Sequence, residues 1–371
     1  MTTKLPPPAP GQAIAPAGHD RITFLDGWRA IAVLVVILSH VTGFRAGPLW
    51  LKDIARWLPV GQLGVLIFFF ISGFVISRSA LAEIRATGAF SVPAFYIRRG
   101  FRIIPPLVVY LVACLLLGSF GVVEFGPRNA LPAFLYVCNV EPFNQCIWLG
   151  GHTWSLAYEE QFYLLFPTLL TLFLLRRAPF WPHFVFALGF CALPLFWPLS
   201  YAGHWDFYLI YGLFGAGFLA ARHYERLAAV VPRFADAGFV AALLLVLAAP
   251  AFMPWPPIYN NYALVFLVAI PVMLVCSGWS RLGGFLNFAP LRYLGRISYG
   301  IYLWQELATS DLTRPQPLWV ELLAVAAIIA LAAALFEGME RPLIRLGKRL
   351  SESWAARPAS ASTLPGGSSP G

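Results

Sequence analysis

The chain is 371 residues long, 59% hydrophobic and only 12% charged, with a mean hydropathy of +0.71. Soluble domains carry about 25% charged residues, so this composition excludes an ordinary globular core and fits a chain whose solvent is largely lipid. The +9 net charge falls in short clusters between apolar runs, a pattern of membrane topology that excludes nucleic acid as a partner.

Residues 1–20 are rich in Pro, Ala and Gly and are expected to form a disordered tail. No small-residue cleavage site follows the next apolar run, so it reads as a retained first span and not a signal peptide. A span needs about 20 mostly apolar residues. Ten segments meet that need, at about 22–43, 60–79, 102–120, 152–175, 180–198, 206–222, 236–253, 260–277, 293–309 and 317–337. The ninth is short and interrupted by polar residues. The sequence therefore predicts an all-α, polytopic membrane bundle over residues 21–350, closed by a Ser/Pro/Gly-rich loose tail at 351–371.

The basic residues orient this bundle. If the N-terminus is cytoplasmic and the spans alternate, cytoplasmic segments collect Arg78, Arg85, Arg98, Arg99, Arg102, Arg176, Arg177, Arg222, Arg226, Arg233, Arg281, Arg292 and Arg296. The C-terminal segment adds Arg341, Arg345, Lys348 and Arg349, whereas the opposite loops hold only Arg45, Lys52, Arg56, Arg128 and Arg314. Such a partition predicts ten spans with both termini inside. Five cysteines show no metal-ligand spacing, and no metal is expected. Cys138 and Cys146 share one polar loop, outside in this topology, where pairing is allowed.

Ionisable groups within hydrocarbon are costly and usually mark function. The first span carries Asp26, Arg29 and His40. Arg29 and His40 lie eleven residues apart, which places them within about 20° on one helix face and about 16 Å apart along it. The bland alternative pairs Asp26 with Arg29 and leaves His40 as a cap. The fourth span opens HTWSLAYEEQFYLLFP, with Glu159 and Glu160 in its first two turns. Running opposite to the first span, it is expected to bring Glu159 to the depth of His40, where a carboxylate would orient the imidazole as a general base. Acidic residues also simply complement a helix N-terminus. Arg98, Arg99 and Arg102 precede the third span, with an R-x-x-R pair at its predicted start. Guanidinium groups there suit a phosphorylated ligand arriving from the cytoplasm, although topology alone also places Arg at such flanks. A ligand with phosphates at one end and a reactive group on a long arm, such as acyl-CoA, would satisfy both ends.

FLDGWRAIAVLVVILSH, FFFISGFVIS, RRGFRIIPP, TWSLAYEEQFYLLFP, LGRISYGIYLWQ and the closing Glu340–Arg341–Pro342 together resemble, in order, the motifs of the membrane acyltransferase-3 family. The resemblance covers roughly residues 22–345. It implies a ten-helix O-acyltransferase of a bacterial cytoplasmic membrane, with acyl-CoA as donor, acetyl-CoA foremost, and a carbohydrate or glycosylated small molecule as acceptor. It makes His40 the essential histidine, Arg29 its motif partner, Arg99 and Arg102 donor-binding, and Glu159 part of the fourth-span site. Members commonly carry histidine where this chain has Gln305, which keeps a hydrogen-bonding role and puts proton transfer there in doubt. Asp26, Trp154, Ser155 and Tyr163 complete the expected pocket. In the expected chemistry His40 deprotonates the acceptor hydroxyl, which attacks the thioester directly or through an acyl-enzyme. Two rivals stand beside it: a proton-coupled transporter using His40 and Glu159 as a relay, and a scaffold whose charges only pair structurally.

Overall fold

The computed structural model describes residues 22–41, 60–143, 146, 148–178, 180–197, 203–249, 259–309 and 317–355. Helices account for its regular structure, and no strand occurs among the described residues. In chain order they are α1 (Thr23–His40), α2 (Val60–Thr87), α3 (Val92–Ser119), α4 (Pro127–Phe134) and α5 (Trp148–Gly151). Then come α6 (Thr153–Leu169), α7 (Trp181–Phe196), α8 (Gly203–Arg222), α9 (Tyr224–Val230) and α10 (Ala235–Ala248). The last are α11 (Tyr259–Ser277), α12 (Ala289–Arg296), α13 (Ser298–Thr309), α14 (Leu318–Leu335) and α15 (Arg341–Ala355).

Each of the ten expected segments contains a helix or a helix pair. By length and composition, α1, α2, α3 and the continuous Leu318–Trp354 helix are able to cross a membrane. Tyr224–Arg233 and α10, bent by 93°, make a fifth span if counted together. Apolar stretches Trp181–Phe196, Phe207–Arg222 and Val265–Ser277 are shorter. The chain is an integral membrane protein. The tails and the loops carrying Arg45, Lys52, Arg56 and Arg314 lie outside the described residues, apart from 351–355, which continue α15 instead of starting a loose tail.

Two boundaries differ from expectation for local reasons. The ninth segment breaks at Ile297 into α12 and α13, at the polar interruption read from the sequence. The third helix starts ten residues before the expected 102. Ser91 caps it by accepting from the Ala94 N–H at 3.3 Å, and a proline stands in its first turn. Arg99 and Arg102 therefore lie inside α3, and the helix-terminus part of the anion-binding expectation falls away.

The bundle is held by close backbone approaches, as expected where lipid gives helices no hydrophobic reason to associate. A Cβ on Gly73 of α2 would strike the Phe214 carbonyl of α8, and one on Gly217 would strike that of Phe70, so the two helices cross on paired glycines. Gly295 of α12 meets the Asp26 backbone of α1 in the same way. Phe162 of α6 and Phe214 stack with centroids 4.2 Å apart. On one side of the bundle, the segment between α3 and α6 is pinned down. Cys138 and Cys146 form a disulfide with Cα atoms 5.9 Å apart. Buried Asn139 and Gln161 exchange reciprocal amide hydrogen bonds of 3.0 and 3.1 Å.

Candidate active site

Two polar centres lie along α1, one at each end of the face that carries Arg29 and His40. At Arg29, the guanidinium Nε donates to the Gly295 carbonyl and to the Ser298 hydroxyl, each at 3.2 Å. Gly295 provides a bare backbone there and Ser298 is fully buried, so the guanidinium is fixed against the α12–α13 break. A small cavity of about 40 Å³ opens beside it, lined by Arg29, Ser155, Glu159, Ser298, Tyr299 and Tyr302 among others. Apolar walls with a few convergent polar groups are the usual make-up of a small-molecule site.

Glu159 does not sit against His40. Its carboxylate accepts hydrogen bonds from the Ser72 and Tyr163 hydroxyls. Arg99 lies over the Tyr163 ring at 4.9 Å from its centroid, which brings one expected donor-binding arginine up to the Glu159 side of the cavity. The reason is depth: Glu159 stands seven residues after His152, about 10 Å further along the α6 axis.

His152, just before α6, takes the level expected for Glu159. At the second centre Glu306 Oε1 of α13 is 4.0 Å from His40 Nδ1 and 4.0 Å from His152 Nδ1, one carboxylate oxygen between two imidazoles. Glu306 and His152 are buried, while the His40 side chain keeps 26% exposure and so remains reachable. The His152 ring packs edge-on against Tyr110 and Tyr302, with centroids at 5.6 and 5.4 Å. Trp148 meets the His40 ring at 5.5 Å with planes at 76°.

Tyr302 joins the centres. It lines the Arg29 cavity, its hydroxyl is 2.6 Å from that of Ser155, and it donates to the His152 carbonyl at 2.9 Å. The arrangement offers a general base backed by a buried carboxylate at one end of α1 and a cationic, hydroxyl-rich cavity at the other.

The remaining expected residues divide. Arg98 forms a 3.0 Å ion pair with Glu83. Arg102 lies within electrostatic reach of Glu340, beside the π-helical turn Phe336–Glu340. Asp26 is buried at the α1–α12 contact and does not line the cavity. Trp154 packs on Tyr158 and likewise stays off the lining. Gln305 is 1% exposed, with no hydrogen-bond partner at either amide atom. Among the described residues, no three His, Cys or carboxylate side chains gather as metal ligands.

Sequence reasoning missed Glu306, although an acidic residue directly after Gln305 in an apolar run was a visible signal. It also passed over Ser72, Ser298 and Tyr302, hydroxyl residues whose importance only cross-helix contacts reveal.

Comparison with known proteins gives a family match and several relatives. A family model described as an acyltransferase domain matches residues 22–337. The peptidoglycan O-acetyltransferase OatA of Listeria monocytogenes is 29% identical over 358 residues, covering 87% of this chain and 56% of the relative. The O-acetyltransferase OatA of Staphylococcus aureus is 29% identical over 369 residues, covering 87% and 57%. A putative O-acetyltransferase of Staphylococcus aureus strain COL is 38% identical over 163 residues, covering 41% and 25%. The chain thus spans little more than half the length of the two OatA relatives. No solved structure matches it.

Proposed function

The chain belongs to the acyltransferase family whose model matches residues 22–337, and from that premise we propose that it moves an acetyl group from acetyl-CoA to a hydroxyl of a cell-wall glycan. The relatives named as O-acetyltransferases, one of them for peptidoglycan, support the acceptor class. The single observation that carries the chemistry is the His40–Glu306 approach at 4.0 Å, with His40 still open to a substrate.

In this mechanism His40 takes the proton of the acceptor hydroxyl as its oxygen attacks the thioester carbonyl. The carbon–sulfur bond breaks, and the CoA thiolate leaves and receives that proton from His40. Glu306 stabilises the imidazolium formed in between, as a buried carboxylate does beside a catalytic histidine. Arg29 and Arg99 supply positive charge along the inner cavity for the donor. Catalysis is placed at the outer face of a bacterial cytoplasmic membrane, in a ten-span topology with both termini inside. Two independent features support that orientation: the lopsided partition of basic residues and the Cys138–Cys146 disulfide, which persists in an oxidising compartment. The transporter and scaffold readings draw no support from the relatives.

The test is purified protein in lipid nanodiscs, supplied with acetyl-CoA and a panel of soluble glycan fragments, with free CoA as readout. Wild type releases CoA in an acceptor-dependent way, and His40→Ala releases none while matching wild-type expression and thermal stability. Full activity in His40→Ala removes the proposed base; no CoA release from wild type with any glycan overturns the substrate class.

A further inference from the structure

Trp148 is 41% exposed although its ring meets His40, which approaches the buried Glu306. Exposed tryptophans are common at membrane interfaces, where they need no partner beyond lipid and water. Trp181 and Trp197 fit that pattern, since among the described residues their rings meet only phenylalanine. Trp148 differs, because its ring partner is the candidate base.

Its backbone is also held from several directions. Cys146, two residues before, is in the disulfide. The Tyr110 hydroxyl donates to the Leu149 carbonyl at 2.5 Å, and the Thr153 hydroxyl donates to the Gly150 carbonyl at 2.6 Å. A half-exposed indole on so constrained a turn is preorganised, and ordering it on binding costs little. From these observations we infer that Trp148 is the platform on which a pyranose ring of the acceptor stacks beside His40. This rests on the glycan acceptor proposed above and identifies the surface that receives it.

The chemistry is complementary. One face of a pyranose presents C–H groups with slight positive charge, which suit the negative face of an indole. The hydroxyls of such a ring project around its rim, roughly parallel to the indole plane. The imidazole centroid lies 5.5 Å from that of the indole, with the planes at 76°, so a sugar stacked on the exposed part of the indole is held in the neighbourhood of His40. Stacking thus fixes the sugar plane and leaves the base to select the hydroxyl within reach.

The experiment compares wild type, Trp148→Phe and Trp148→Ala in nanodiscs, with a β-1,4-linked N-acetylglucosamine tetramer as acceptor. CoA release is measured with each substrate varied in turn, and tetramer binding without donor is followed by indole fluorescence. Loss of one stacking contact is expected to raise the acceptor KM about tenfold or more in Trp148→Ala and less in Trp148→Phe. The KM for acetyl-CoA and the thermal stability stay at wild-type values, and the tetramer-induced fluorescence change disappears in Trp148→Phe. An unchanged acceptor KM in Trp148→Ala overturns the inference, as does an equal rise in both KM values with lowered thermal stability. Trp148-dependent tetramer binding without any CoA release defeats the reaction proposed above and leaves the platform standing.

Discussion

Replacing Glu306 by Gln keeps the size of the side chain and removes its charge from between His40 and His152. At 4.0 Å a unit charge pair is worth about 4 kcal/mol at an effective dielectric of about 20. His40 is partly exposed, so water screens part of that interaction, and about 1–3 kcal/mol remains for the imidazolium formed during proton transfer. At about 1.4 kcal/mol per decade, kcat falls between about fivefold and 150-fold. Steady-state CoA release at saturating acceptor measures it, and the KM for acetyl-CoA stays unchanged because the Arg29 cavity proposed for the donor lies at the other end of α1. A Glu306→Gln enzyme with kcat within twofold of wild type would refute the assignment of Glu306 to His40. Loss of folded protein is a separate outcome, recognised in a thermal melt, and Glu306→Asp then serves as the charge-preserving comparison.

Two further predictions separate binding from structure. Arg98→Ala breaks a partly exposed ion pair with Glu83 worth at most about 1 kcal/mol and leaves the donor KM within about threefold, whereas Arg99→Ala removes a cation held over Tyr163 and raises it about tenfold or more; equal donor KM values in titrations of acetyl-CoA would contradict this division. Asn139→Ala or Gln161→Ala strands a buried amide and costs about 1–3 kcal/mol, while the double variant costs less than the sum, so additive losses in a double-mutant cycle of detergent melts would show that the two amides are not coupled.

How much of the site was legible followed from how local each signal was. Arg29 and His40 share one helix, so their common face followed from helical geometry alone. The start of α3 was misplaced because hydropathy marks where lipid begins and not where a helix does. The Ser91 cap and the proline after it, both in the sequence, were the better guide. Glu159 was placed beside His40 by counting turns from an assumed membrane boundary, an estimate that cannot resolve the roughly 10 Å separating it from His152.

By itself the sequence determined that this chain is a helical membrane protein and a member of its acyltransferase family. Apolar run length, charge placement and ordered motifs are properties of neighbouring residues and survive without coordinates. Only the tertiary structure decided which carboxylate meets His40. Glu306 and Glu159 are both acids in apolar runs, and nothing in either run states which helix it will face. Glycine-mediated crossings such as Gly295 against Asp26 set how near α12 and α13 come to α1, and that approach brings a carboxylate from the far end of the chain to His40 near its beginning.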